Sequence, residues 1–311
     1  MFKDIIIAVT PSEVCDCAAD TAFGFAQRFE ANLHLVHVVG LAQGWGQMRH
    51  LEASGETDRI KNEIAEFYKD KLKGIPNHTI SVLPGIPHNE ILRIARRDNA
   101  DLIIMGPHTK EYEERRSKMW GMAGSTLERV AQKARCPVMI VTKQTPYGEQ
   151  SFQELVVATD FSEQSECAVG YGAQMARHYK STLTIFHCIE EMDLSQPEFI
   201  RRSEAAKERM RTQFEPLIRG MKSVQFECFE GKPAMEILKL SRMHQAGLVL
   251  MAHHSTERDP EKAYLGSVVA QVALNSTCPT LSINRHFDLR CGMMYDQTGG
   301  VADKGKVAEP A

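Results

Sequence analysis

The chain is one unit written twice, and that duplication constrains its fold more than any other feature. "IIIAVTPSE" (5–13) returns as "LVVATDFSE" (155–163), and "LHLVHVV" (33–39) returns as "LTIFHCI" (183–189), both displaced by 150 residues. "PGIPHNEILRIARRDNADLIIMG" (84–106) returns as "EGKPAMEILKLSRMHQAGLVLMA" (230–252), displaced by 146. Gly124-Ser125 and Cys136 return as Gly266-Ser267 and Cys278, displaced by 142. The displacement falls from 150 to 146 between positions 39 and 84, and from 146 to 142 between 106 and 124. Length changes confined to two places mark loops on a shared scaffold.

Within each copy, short apolar runs alternate with helical periodicity. In the first copy the pattern predicts strands near 3–9, 33–39, 78–83, 101–105 and 137–142, with helices near 12–30, 56–73, 87–98 and 125–135. Runs such as "DLIIM" and "PVMIV" suit strands buried on both faces, so the sheet is expected to be parallel with helices on either side. The fold class is α/β: two tandem doubly wound, Rossmann-like parallel-sheet domains, over 1–144 and 151–287, with a flexible tail over 288–311. In such sheets a ligand sits beyond the carboxyl ends of the strands, where the strand order reverses.

Composition narrows the function class. With 37 basic and 40 acidic residues the net charge is −3, which leaves no electrostatic footprint for nucleic acid or an acidic membrane surface. The apolar run 5–9 is too short for an export signal, and the uncharged stretches 31–48 and 263–284 carry His, Asn, Gln, Gly or Pro, so no membrane span is expected. Eight cysteines scattered through mostly apolar runs fit core residues in a reducing cytoplasm. Cys15 and Cys17 stand two apart on a predicted helix and no second pair follows at zinc-site spacing, so no metal site is expected.

The predicted strand ends carry Thr10, Val38 and Gly106 in the first copy and Asp160, Cys188 and Ala252 in the second. Gly-Ser opening a helix offers unpaired amides, a positive dipole end and a hydroxyl, which suits a phosphate. Ser125-x-x-Glu128 also reads as a capping box, in which the serine only satisfies its own helix. Arg115, Arg116 and Lys118 are read either as cationic substitutes for lost phosphate contacts or as a solvated loop, and Trp45 as part of a lid or of a loose connection. His253-His254 reads as polar surface, whereas His37 and His187, at equivalent places in the repeat, read as structural. Cys291, in the tail, is the thiol expected to be most reactive if exposed. There is no Walker lysine, no Ser-His-Asp spacing and no paired carboxylates, so no catalytic residues are expected.

The order strand–Asp-x-Ser, strand ending His-Val, "GxPxxxIxxxAxxxxxDLIVMG", Gly-x-x-Gly turn, Gly-Ser helix start and "CPVxxV" resembles the universal stress proteins, and both copies carry it. The resemblance implies a tandem member that binds adenine nucleotide, ATP or AMP, across the strand ends, with magnesium only as the nucleotide's companion. In the first copy it points to Thr10, Val38, Gly106, Gly124, Ser125 and Thr126; in the second, to Thr159, Asp160, Phe161, Cys188, Met251, Ala252, His254, Gly266, Ser267 and Val268. Both copies depart from the pattern. Ala252 and Ser255 stand where the turn's glycines belong in the second copy; Thr10 replaces the aspartate and Thr109 the second glycine in the first. A Cβ where backbone must pack on phosphate obstructs the ligand, so the sites are degenerate and their affinity weak and unequal.

The resemblance further implies an internal pseudo-dimer with "PVMIV" and "PTLSI" at or near its contact, and a further homodimer. The expected function is a cytoplasmic stress-response protein acting by binding and regulation. The alternatives are a slow ATPase or autophosphorylating protein using Ser125 or Ser267, and an interaction scaffold with no small ligand.

Overall fold

The computed structural model describes residues 2–10, 16–40, 54–106, 125–142, 151–191, 193–253 and 266–283. The chain divides into two compact units after residue 147. The first contains β1 (Asp4–Ala8), α1 (Asp16–Phe29), β2 (Asn32–Gly40), α2 (Glu56–Phe67), α3 (Lys69–Leu72), β3 (His78–Gly85), α4 (Pro87–Arg97), β4 (Leu102–Met105), α5 (Ser125–Lys133) and β5 (Val138–Ile140). The second contains β6 (Glu154–Ala158), α6 (Glu163–Tyr179), β7 (Thr182–Ile189), α7 (Gln196–Ile218), β8 (Val224–Glu230), α8 (Pro233–Met243), β9 (Leu248–Ala252), α9 (Ser267–Asn275) and β10 (Thr280–Ile283).

Each unit is a parallel sheet. The order is β3-β2-β1-β4-β5 in the first and β8-β7-β6-β9-β10 in the second. The first strand of each unit pairs with the second on one side and the fourth on the other, in parallel register throughout, as in Ala8 opposite both Val36 and Met105. The order therefore reverses between β1 and β4, and between β6 and β9. Ile5, Ile6 and Ile7 are at most 1% exposed, as are Leu155–Val157 and Leu248–Leu250, which is the burial on both faces that their unbroken apolar runs imply. Each such side chain contributes about 1.5–3 kcal/mol when taken from water.

One helix differs from its sequence pattern. The periodicity over 56–73 predicts a single helix, but the chain breaks at Tyr68, with φ −100° and ψ 10°, into α2 and the one-turn α3. The Tyr68 ring is fully buried, edge-on to Phe23 at 5.3 Å. Tyr68 keeps its amide bond to the Ile64 carbonyl at 3.1 Å and accepts the Leu72 amide at 2.9 Å, so the buried ring is accommodated by a local change of backbone angle. The helix expected over 12–30 starts, within the described residues, at Asp16; Pro11 to Cys15 lie outside them.

The two copies solve the entry to their fourth strand differently. Asp101 of the first accepts the Lys3 and Asp4 amides at its carboxylate, at 2.8 and 3.1 Å. Its counterpart in the second copy, Gly247, makes the same backbone bond that Asp101 makes, to Glu154 instead of Asp4, but the chain at Ser151 passes where a side chain would go. A Cβ there would lie 1.6 Å from the Ser151 carbonyl oxygen, so backbone has to move. We expect Gly247→Ala to destabilise the second unit by about 2–3 kcal/mol in urea unfolding. A change below about 0.5 kcal/mol would show that this close approach is not a constraint.

Candidate functional site

At the carboxyl ends of β6, β7 and β9 the second unit encloses a cavity of about 330 Å³. It lies where the strand order reverses, because β6 leads to β7 on one side and receives β9 on the other. Four separate stretches of chain meet at it.

The first is the turn from β6 into α6. Thr159 continues the ladder, its amide donating to the Phe186 carbonyl at 2.8 Å. Asp160 accepts the Ser162 amide at 3.0 Å, an Asx turn that holds its carboxylate at the rim. The Thr159 hydroxyl accepts the Phe161 amide at 3.0 Å and meets the Ser165 hydroxyl at 2.8 Å. Ser162 caps α6, accepting the Ser165 amide at 3.1 Å. Phe161 takes a left-handed φ of 64°, uncommon outside glycine, and its ring turns toward α7. There it packs 4.5 Å from His187, 6.5 Å from Phe214 and beneath the Arg209 guanidinium at 4.0 Å. Phe161 therefore anchors the turn and packs behind His187, which lines the cavity.

The second stretch is the end of β7. Phe186, Cys188 and Glu190 share one face by the two-residue period of a strand and all line the cavity. The Cys188 thiol donates to the Gly231 carbonyl at 3.4 Å. Burial, reinforced by Glu236 and Glu190, pushes this thiol up to about 12, so it serves as an apolar wall and not as a nucleophile. His187 donates from Nδ1 to the Thr159 carbonyl at 2.9 Å, and His37 makes the same bond to Val9 at 2.8 Å in the first unit. Both histidines tie the second strand to the end of the first.

The third stretch opens α8. Gly231, at φ 140°, turns the chain so that Pro233 and Ile237 form the apolar side of the wall. The fourth joins β9 to α9, with Met251, Ala252, His253, Gly266, Ser267, Val268 and Val269 on the wall. His253 was expected at the polar surface, yet it is 2% exposed. Its amide donates to the Ile283 carbonyl at 2.8 Å, extending the β9–β10 ladder by one residue, and its Nδ1 lies 3.3 Å from the Ser282 hydroxyl. The His253 carbonyl in turn accepts the Gly266 amide at 3.2 Å, fastening the start of α9 to the end of β9.

Gly266 is the N-cap of α9 and Ser267 the first helical residue, with no side-chain cap bond. Ser267 is exposed, and the first turn of α9 borders the cavity. In the first copy α5 likewise begins at Ser125, one residue earlier than a capping box with Ser125 as its N-cap requires. The amide end of α9 thus faces the cleft, where it favours negative charge.

Of the second-copy residues singled out from sequence, Thr159, Asp160, Cys188, Met251, Ala252, Gly266, Ser267 and Val268 are brought together on one wall. His254 and Ser255 lie outside the described residues. Sequence reasoning missed Phe186, Glu190, Pro233 and Ile237; the strand period through Cys188 and the helical period through Pro233 were the signals that locate them. In the first unit, strand register sets Thr10, Val38 and Gly106 beyond or at the ends of three adjacent strands, and Thr126 in the first turn of α5. Gly124, Thr109, Arg115, Arg116, Lys118, the Ser125 side chain, Trp45, Cys15, Cys291 and residues 284–311 lie outside the described residues. Among the described residues no cluster of three or more His, Cys, Asp or Glu can hold a metal ion, and no helix is long and apolar enough to cross a membrane.

Burial, followed by Arg209, holds the His187 imidazole below its usual 6.5, against the pull of its Thr159 bond and of Asp160 and Glu190. The unfolded chain therefore takes up this proton more readily, so the stability His187 supports is present above pH 6.5 and is lost as pH falls below it. We expect the His187 ring resonances to titrate with a midpoint below 6.5. A midpoint above it contradicts the assignment.

The model of the Universal stress protein family matches residues 1–142 and 151–284. A universal stress protein of Methanocaldococcus jannaschii is 34% identical over 152 residues, covering 46% of this chain and 84% of that protein. A second from the same organism is 26% identical over 162 residues, covering 46% of this chain and 96% of that protein. A solved universal stress protein from Archaeoglobus fulgidus shares the fold across 91% of this chain and 96% of its own, with a TM-score of 0.67 at 20% identity. With matched segments that take in both sheets, this chain belongs to the universal stress protein family and carries two of its domains in tandem.

Proposed function

We propose that the protein binds an adenine nucleotide, AMP or ATP, in the cleft of its second domain, and that it acts in the cytoplasmic stress response by binding and regulation. The observation that carries this reading is the convergence of Asp160, Cys188, Ala252 and the first turn of α9 on one cavity. Phe186, Cys188 and Ile237 form walls apolar enough for a purine. Asp160, pinned by the Ser162 amide, supplies an acceptor for an amino or hydroxyl group at the rim. The amide end of α9 suits a phosphate at the far side. Ala252 carries a Cβ where close backbone approach would be needed, and Glu190 adds negative charge, so affinity is modest and greater for AMP than for ATP.

A second reading, slow phosphoryl transfer onto Ser267, is supported by one observation: this serine is the first helical residue of α9 and not its N-cap, and it is exposed beside the cleft. Titration calorimetry with AMP and ATP tests the main reading. We expect saturable binding, a stabilisation of about 2.7 kcal/mol at a hundredfold excess over Kd, and at least a tenfold loss of affinity in Asp160→Ala. Absence of binding at millimolar nucleotide would overturn it in favour of a ligand-free scaffold. Transfer of label from γ-labelled ATP to Ser267 would establish the second reading.

A further inference from the structure

Ser81, His34 and Asp98 form a hydrogen-bonded chain on the first unit, apart from the strand-end site. The Ser81 hydroxyl lies 2.7 Å from His34 Nε2, and His34 Nδ1 lies 2.7 Å from Asp98 Oδ2. Two bonds from Arg97, at 2.6 and 2.9 Å, hold the Asp98 carboxyl below its ordinary range, with His34 adding to the effect. An ionised carboxylate can only accept, so His34 carries its proton on Nδ1 and Nε2 accepts from Ser81. This is the connectivity of nucleophile, base and orienting acid in acyl transfer. The three residues are separated by 47 and 64 positions, which is why no spacing motif reveals them.

The chain borders space for a substrate. A groove of about 600 Å³ runs along the amino-terminal parts of β1, β2 and β3, and all three residues line it. His34 is 9% exposed while Ser81 is half-buried, so the base is sheltered and the hydroxyl reachable. Thr79, one strand period from Ser81 and on the same wall, carries a hydroxyl donor beside the nucleophile.

The duplication supplies an internal control. By the repeat offsets the second copy has Thr184, Glu227 and His244 at these positions, and strand pairing agrees, with Val36 opposite Ser81 and Phe186 opposite Glu227. The helix ends match: Asp98 closes α4 at φ −89°, ψ 1°, and His244 closes α8 at φ −89°, ψ 0°. The fold therefore builds the same strand–helix junction without the trio, and needs neither the histidine nor its partners.

From this cluster and its groove we infer that the first domain carries an acyl-transfer site for small carboxylic esters, with Ser81 as nucleophile, His34 as general base and acid, and Asp98 as the positioning residue. Ser81 Oγ bonds to the ester carbonyl carbon as its proton passes to His34 Nε2. The bond to the leaving alkoxide then breaks, and that oxygen takes the proton from His34. Water, activated by the same nitrogen, cleaves the acyl-serine, releasing the carboxylic acid and restoring the hydroxyl.

The test is covalent labelling of the native full-length chain with diisopropyl fluorophosphate, mapped by peptide mass spectrometry. The phosphorus–oxygen bond forms at Ser81 as fluoride leaves. We expect one label, on Ser81, absent in Ser81→Ala, slowed about 100-fold in His34→Gln and at least tenfold in Asp98→Asn. p-Nitrophenyl acetate is expected to release nitrophenolate with acetyl-Ser81 as an intermediate. If His34→Gln does not fold, the urea-unfolded wild-type chain provides the reference rate for an ordinary serine. An unlabelled Ser81 in the native chain, a native rate within about threefold of that reference, a rate unchanged by His34→Gln in a folded variant, or labelling only at other serines would each overturn the proposal.

Discussion

The structure depends on the burial of parallel strands on both faces. Strands such as Ile5–Ile7 and Leu248–Leu250 have no polar face to give to water, so each needs helices above and below it. Parallel neighbours cannot be joined by hairpins, and a helix follows every strand but the last of each unit. Reversal of strand order at the first strand then leaves its carboxyl end flanked by connections that depart in opposite directions. The cleft beside Thr159 and Ala252 is the result of this constraint before any ligand chemistry is considered.

Much of this was legible in the sequence. The apolar pattern located the strands of the first copy to within about two residues, because strands buried on both faces read as unbroken apolar runs. The site residues at strand ends were legible for the same reason: once Asp160, Cys188 and Ala252 are placed on strands, topology brings them together. What sequence did not show were facts of tertiary context. Tyr68 breaks a helix because its ring is fully buried against Phe23. His253 is buried because β9 pairs one residue further than its apolar run. Phe161 packs between His187 and Arg209, a placement that comes with its left-handed backbone. Ser267 sits one residue inside its helix, which separates it from the capping role that its neighbourhood suggests.

The two copies serve as controls for one another. The bond from the strand-2 histidine to the end of the first strand occurs in both, as expected of a group that holds the scaffold. Features found in one copy alone are freed from that duty. Asp160 at the cleft rim is replaced by Thr10, and the His34 trio is replaced by Thr184, Glu227 and His244. A duplicated fold can thus keep one set of strands and let the two ends of its sheets diverge in chemistry.

The central claim is that the carboxyl-end cleft of the second domain is where an adenine nucleotide binds. Backbone amide shifts of the labelled protein during titration with AMP test it most directly. The account predicts that the largest changes fall on Thr159–Phe161, Cys188, Ala252 and Gly266–Val269, and that they saturate together. Changes centred elsewhere on the chain, or none up to millimolar AMP, would contradict it.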